Sequence, residues 1–83
     1  AYRDSLGWVL FRKGKISEAL AELEKAARAE PDPTVLEHLG DAYRAAGQPE
    51  KAKQSWGKAV EAYRKSHEDQ KANNTQQKIK SLP

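Results

Sequence analysis

Shifting the chain against itself by 33 residues superposes Leu6 on Leu39, Gly7 on Gly40, Gly14 on Gly47, Ala19 on Ala52, Lys25 on Lys58, Ala26 on Ala59 and Ala29 on Ala62. The replacements between the copies keep their bulk, with Leu10 answering to Tyr43 and Leu23 to Trp56. Self-similarity at this period is the signature of one supersecondary unit used twice, so the fold has to be a stack of like units. The punctuation inside each copy says what the unit is. Gly14 and Gly47 follow apolar-periodic stretches, where a residue with positive φ ends a helix at little cost. Ser17 is a candidate cap for the next helix. Asp32 before Pro33, and Gln48 before Pro49, place proline at a first helical position, where its missing N–H is not needed. Four helices are predicted, at about 2–13, 17–30, 33–46 and 49–66. Ala19, Leu23 and Ala26, like Ala52, Trp56 and Ala59, recur at i, i+4, i+7 and so share one helical face. The fold class is all-α, built of antiparallel helix-turn-helix repeats.

Composition sharpens this reading. Of 83 residues, 37% are hydrophobic and 33% charged, and so short a chain supports one small core. Thirteen of the apolar residues are Ala and seven are Leu, a mixture that favours helices in close contact. Gly7 and Gly40 fall mid-helix, where Gly costs about 1 kcal/mol relative to Ala, so a near approach of helices is expected there. Cysteine is absent, which removes disulfide scaffolds and thiolate metal sites. No apolar run approaches the roughly 20 residues that span a bilayer. The chain contains no Met, even at position 1, and on this ground it is expected to be a processed product or a fragment of a longer protein.

The formal charge of +3 is unevenly placed. Arg64, Lys65, Lys71, Lys78 and Lys80 in the tail face only Glu68 and Asp69. A solvated helical tail explains this excess, and contact with phosphates or an acidic partner is the alternative. Within the tail, Asn74 with Gln77 three residues later imitates a capping box, and Ile79 and Leu82 make a short apolar stripe. A terminal helix over 74–82 is therefore expected. The alternative is one continuous helix running from 49 to 72 or beyond.

The doubled pattern of Leu6, Gly7, Leu10, Gly14, Ala19, Leu23, Ala26 and Pro31, then Leu36, Leu39, Gly40, Tyr43, Gly47, Ala52, Trp56 and Ala59, resembles the tetratricopeptide repeat. The resemblance covers roughly residues 2–64. It implies an α-solenoid fragment divided as 1–32 for one repeat, 33–66 for a second, and 67–83 for an extension with a capping helix, whose polar outer face would end the stack. It also implies a protein-interaction scaffold or adaptor that binds a peptide or protein segment in the concave groove and catalyses nothing. The groove positions it designates are Asp4, Trp8, Phe11 and Arg12 in the first copy and Glu37, His38, Asp41 and Arg44 in the second, with Ser5 and Ala45 beside them. Family members that grip a terminal carboxylate use Lys, Arg and Asn at comparable places. Here Asp4, Glu37 and Asp41 carry acids, which suit a basic or amine-bearing segment.

Trp8 is the sharpest candidate anchor, because aromatic residues dominate interface energetics. The competing role is packing on an upstream helix. Two repeats are fewer than a stable stack requires, so upstream repeats of the parent chain, self-association or helix exchange are expected. No catalytic, metal or cofactor motif occurs: His38 and His67 stand apart, and no glycine-rich phosphate loop is present. A nucleic-acid-binding helical domain using the basic tail, and a regulatory segment of a larger enzyme, are the alternative functions.

Overall fold

The computed structural model describes the backbone of residues 2–82 and the side chains of residues 6–82. It contains five helices: α1 (Tyr2–Arg12), α2 (Ile16–Ala29), α3 (Pro33–Ala45), α4 (Pro49–Lys65) and α5 (Asp69–Lys80). No strand occurs among the described residues. Neighbours along the chain pack as antiparallel hairpins, α1 on α2, α3 on α4 and α4 on α5, while α2 packs on α3 to join the two repeats. Among the described residues, no helix is long and apolar enough to cross a membrane.

Start and stop chemistry accounts for most boundaries. Asp32 caps α3 by accepting a hydrogen bond from the Thr34 N–H at 2.8 Å, and Pro33 and Pro49 open their helices. Ser17 is not the cap expected of it. α2 begins one residue earlier at Ile16, and Lys15 precedes it without a side-chain cap bond. Gly14 (φ 83°) and Gly47 (φ 77°) occupy the left-handed region that glycine enters without strain. At both places the chain closes with a pair of backbone bonds. The N–H after the glycine reaches back five residues, Lys15 to the Leu10 carbonyl and Gln48 to that of Tyr43, each at 2.9 Å. The glycine N–H bonds Phe11 or Arg44 at 3.0 Å. This is the double bond pattern that satisfies the last carbonyls of a helix.

A third turn repeats it. Glu68 N–H donates to the Tyr63 carbonyl at 2.8 Å and His67 N–H to that of Arg64 at 3.1 Å, with His67 at φ 60°. The continuous helix through 49–72 is thus excluded, and the terminal helix starts at Asp69, five residues before the expected 74. Asn74 and Gln77, expected to cap that helix, lie inside it. Their segment continues an existing hydrogen-bond ladder and needs no new start.

The glycines inside α1 and α3 mark the closest contacts. A Cβ at Gly7 would lie 2.7 Å from Leu23 Cγ, and one at Gly40 would lie 2.3 Å from Trp56 Cδ1. The same 33-residue register thus seats Leu23 against α1 and the Trp56 indole against α3. One core cluster joins Leu23, Leu39 and Ala42, and a second joins Leu36, Ala59, Val60, Tyr63 and Ala72. Ala27 of α2 touches both. Full burial of Ala19, Ala52 and Ala72 lets each hairpin close.

Candidate functional site

The site is built around α3. Glu37, Asp41 and Arg44 follow one another at i, i+4, i+7 and so share a stripe along that helix. Because Gly40 has no side chain, the pyrrole edge of the Trp56 indole comes up against the helix beside this stripe. Its Nε1–H donates to the Glu37 carbonyl and to Asp41 Oδ1, both at 3.1 Å. Tyr63 adds a hydroxyl, donating to Glu37 Oε1 at 2.7 Å. From α5, Lys78 Nζ reaches Glu37 Oε2 at 2.7 Å and Asp41 Oδ1 at 3.0 Å, and it stands 5.9 Å from the centre of the Trp56 ring. Two carboxylates, an indole, a phenol and an ammonium therefore form one network across α3, α4 and α5.

The network sets the charge states. Burial raises the Glu37 carboxyl, but hydrogen bonds from Lys78 and Tyr63 more than offset it and leave the group below its ordinary value. Asp41 lies deeper, and for it burial prevails and holds the carboxyl above its ordinary value. Burial lowers Lys78, yet its bonds to both acids win and raise it. Tyr63 is pushed up by burial and by its bond to Glu37. At neutral pH Lys78 is charged, and its single ammonium is shared between the two acids.

Beside the network opens a cavity of about 380 Å³ lined by Phe11, Asp41, Arg44, Ala45, Trp56 and Lys78. Its approach from α1 is aromatic. Trp8 stacks on Phe11 with ring centres 5.0 Å apart and on His38 of α3 at 4.0 Å, with planes within 11°. Trp8 is half-buried and bridges the two repeats. Trp8, Phe11, His38, Asp41 and Arg44 are thus brought together, with Glu37 behind them. Arg12 is exposed at the end of α1 and does not line this cavity. The side chain of Asp4 lies outside the described residues.

Lys78, Tyr63 and the polar edge of Trp56 were not among the residues expected at the site. Trp56 and Tyr63 sit on the packed faces of α4, and Lys78 belongs to a tail whose charge reads as solvated. Two of the five tail bases are in fact paired, since Lys71 also contacts Glu68 at 3.0 Å. Among the described residues, no group of three His, Asp or Glu side chains is arranged to hold a metal ion.

Comparison with known proteins agrees with this architecture. The tetratricopeptide repeat-like domain family matches residues 4–83. A TPR repeat-containing protein of Pseudomonas aeruginosa is 42% identical over 41 residues, which is 49% of this chain and 7% of that relative. The matched segment is therefore a small part of the relative's length. No solved structure matches the chain significantly.

Proposed function

The chain belongs to the tetratricopeptide-repeat family, whose domains generally bind proteins, and we propose that it acts as an interaction module holding a peptide or protein segment along α1 and α3, without catalysis. The observation that supports this reading is the cavity at Phe11, Arg44, Trp56 and Lys78 with the Trp8 and His38 rings at its mouth. It joins apolar surface to a few convergent polar groups, the usual make-up of a binding site. Trp8 offers the partner an aromatic edge, and Arg44 offers an exposed guanidinium beside it.

A basic segment binds here by competition. Its cation reaches Glu37 and Asp41 only by displacing the Lys78 ammonium, so the pair acts as a guarded acidic site. At the other end, Leu6 and Val9 of α1 are 38% and 47% exposed. This apolar surface receives a helix from a preceding repeat or from a second copy.

The test is titration of a Lys/Arg-rich peptide into the chain, followed by amide shifts. Trp8→Ala should weaken binding about tenfold while the helical signal persists. Lys78→Met should strengthen binding by freeing the acids. A thermal loss with unchanged affinity in Trp8→Ala would assign the indole to packing instead. Unchanged affinity in Lys78→Met would refute the guarded site.

A further inference from the structure

A second groove lies on another face of α3, between α2 and α4, and nothing in the family reading uses it. Its volume is about 410 Å³, within the range of about 300–1,000 Å³ usual for ligand sites. The floor is apolar, made by Leu36 and Leu39 of α3 with Ala27 of α2. Tyr43 closes one end. Its hydroxyl donates to Glu24 Oε2 at 2.6 Å, and its acidity is pushed to about 12 by burial and by that acid. The phenol stays protonated, and Glu24 is held in place as its acceptor.

The rim is cationic. Arg28 rises from α2, and Lys51 and Lys58 rise from α4, seven residues apart and so on one stripe. Lys51 Nζ lies 5.7 Å from the centre of the Tyr43 ring. Among the described residues none of these three cations has an ion-pair partner within 4.0 Å. Glu24, the one acid of the lining, is already engaged. The first groove balances its charges internally, whereas this one leaves an excess of about two positive charges over an apolar floor.

We propose that the groove between α2 and α4 is a docking site for a short acidic peptide segment. An apolar side chain of that segment rests on Leu36 and Leu39 while flanking carboxylates meet Arg28 on one wall and Lys51 and Lys58 on the other. The charge pattern selects against a basic segment, since three cations repel it. It also disfavours a nucleic-acid backbone, because a row of phosphates gains nothing from the apolar floor and Glu24 repels them.

The proposal is tested on the whole chain with a fluorescent peptide bearing Leu between Asp/Glu flanks. Its Lys-flanked counterpart and a labelled single-stranded oligonucleotide serve as comparisons. Binding of the acidic peptide should tighten as salt falls and shift amides of α2 and α4. The double variant Arg28→Glu/Lys58→Glu, at two exposed positions, should weaken it about tenfold with the circular dichroism unchanged. The charge-matched variant Lys53→Glu/Lys65→Glu, outside the lining, should leave it intact. No binding of the acidic peptide, equal binding of the Lys-flanked peptide, or shifts confined to α1 and α3 would each overturn the assignment. Tighter binding of the oligonucleotide, lost in the same double variant, would replace it with a phosphate site.

Discussion

The first and last helices each pack chiefly along one neighbour, α1 on α2 and α5 on α4, yet they treat their free faces oppositely. α1 leaves Leu6 and Val9 in contact with water, and Gly7 is its one buried residue among those described. α5 buries Ala72 and Thr75 and turns Asn73, Asn74, Gln77 and Lys80 outward. The buried Thr75 hydroxyl is satisfied by the Lys71 carbonyl at 2.9 Å, and the helix is pinned by Lys78 across to α3. One end leaves apolar side chains exposed, whereas the other turns polar surface outward and is held by charge. A stack thereby has a direction, although its two repeats share one pattern.

The heaviest blow to that arrangement strikes the middle, on which both ends rest. Trp56→Ala should lose about 3–5 kcal/mol, read by thermal or urea unfolding, because the indole fills the contact with Gly40 and binds Asp41. Gly40→Ala should also destabilise, by about 1–3 kcal/mol, since its Cβ would meet the rigid indole at 2.3 Å. Gly7→Ala, against a leucine, should cost less. Equal losses in the two glycine variants would mean that the repeats are energetically alike after all.

Next comes the pin. Lys78→Met leaves two half-buried acids together and should cost about 1–2 kcal/mol, discounted because the lysine side chain is 35% exposed. Hydrogen exchange should rise in α5 and not in α1. Alkali tests the same bond. Lys78, Tyr43 and Tyr63 all have folded-state values above their ordinary 10.5 and 10.0. Their protonated forms are therefore favoured by folding, and the stability they confer is complete below about pH 10 and lost as pH rises beyond it. Glu37, whose value is lowered, contributes above its ordinary 4.5 and loses that contribution in acid. Asp41, raised, works against it there, so the acid side should be the flatter.

Smaller still is the third turn. His67 adopts φ 60°, a conformation that Gly enters without a Cβ penalty, so His67→Gly should raise stability by about 0.5–1 kcal/mol. The exposed pair Leu6→Gln/Val9→Lys should change stability by less than about 0.5 kcal/mol. It should also abolish any concentration-dependent association seen by light scattering. If association persists in that variant, α1 is not the open end.

Much of the fold was legible because the repeat carries its own punctuation. Gly14, Gly47, Asp32, Pro33 and Pro49 each do locally what their chemistry favours. The third turn escaped notice because a histidine stands where glycine stood twice before. The chain does carry a second echo at 20 residues that marks it: Ala42-Tyr43-Arg44 against Ala62-Tyr63-Arg64, and Lys51-Ala52 against Lys71-Ala72. Both Tyr residues begin the same closing bond pattern, and both lysines stand over the preceding tyrosine ring. At the site, the stripe of Glu37, Asp41 and Arg44 could be read from helical spacing. Lys78 could not, because it lies 37 residues beyond Asp41 and meets it only once α5 folds back. A pattern within one helix reveals its face, while a contact between distant helices depends on every turn between them.

That bond from α5 has a consequence for modularity. The two acids belong to α3, but the cation bonded to both belongs to α5. The same α3 packed beside a helix with a different residue at this place would present a different groove. The charge of this face of α3 is thus set partly from α5, and exchanging that helix alone is a way to retune it.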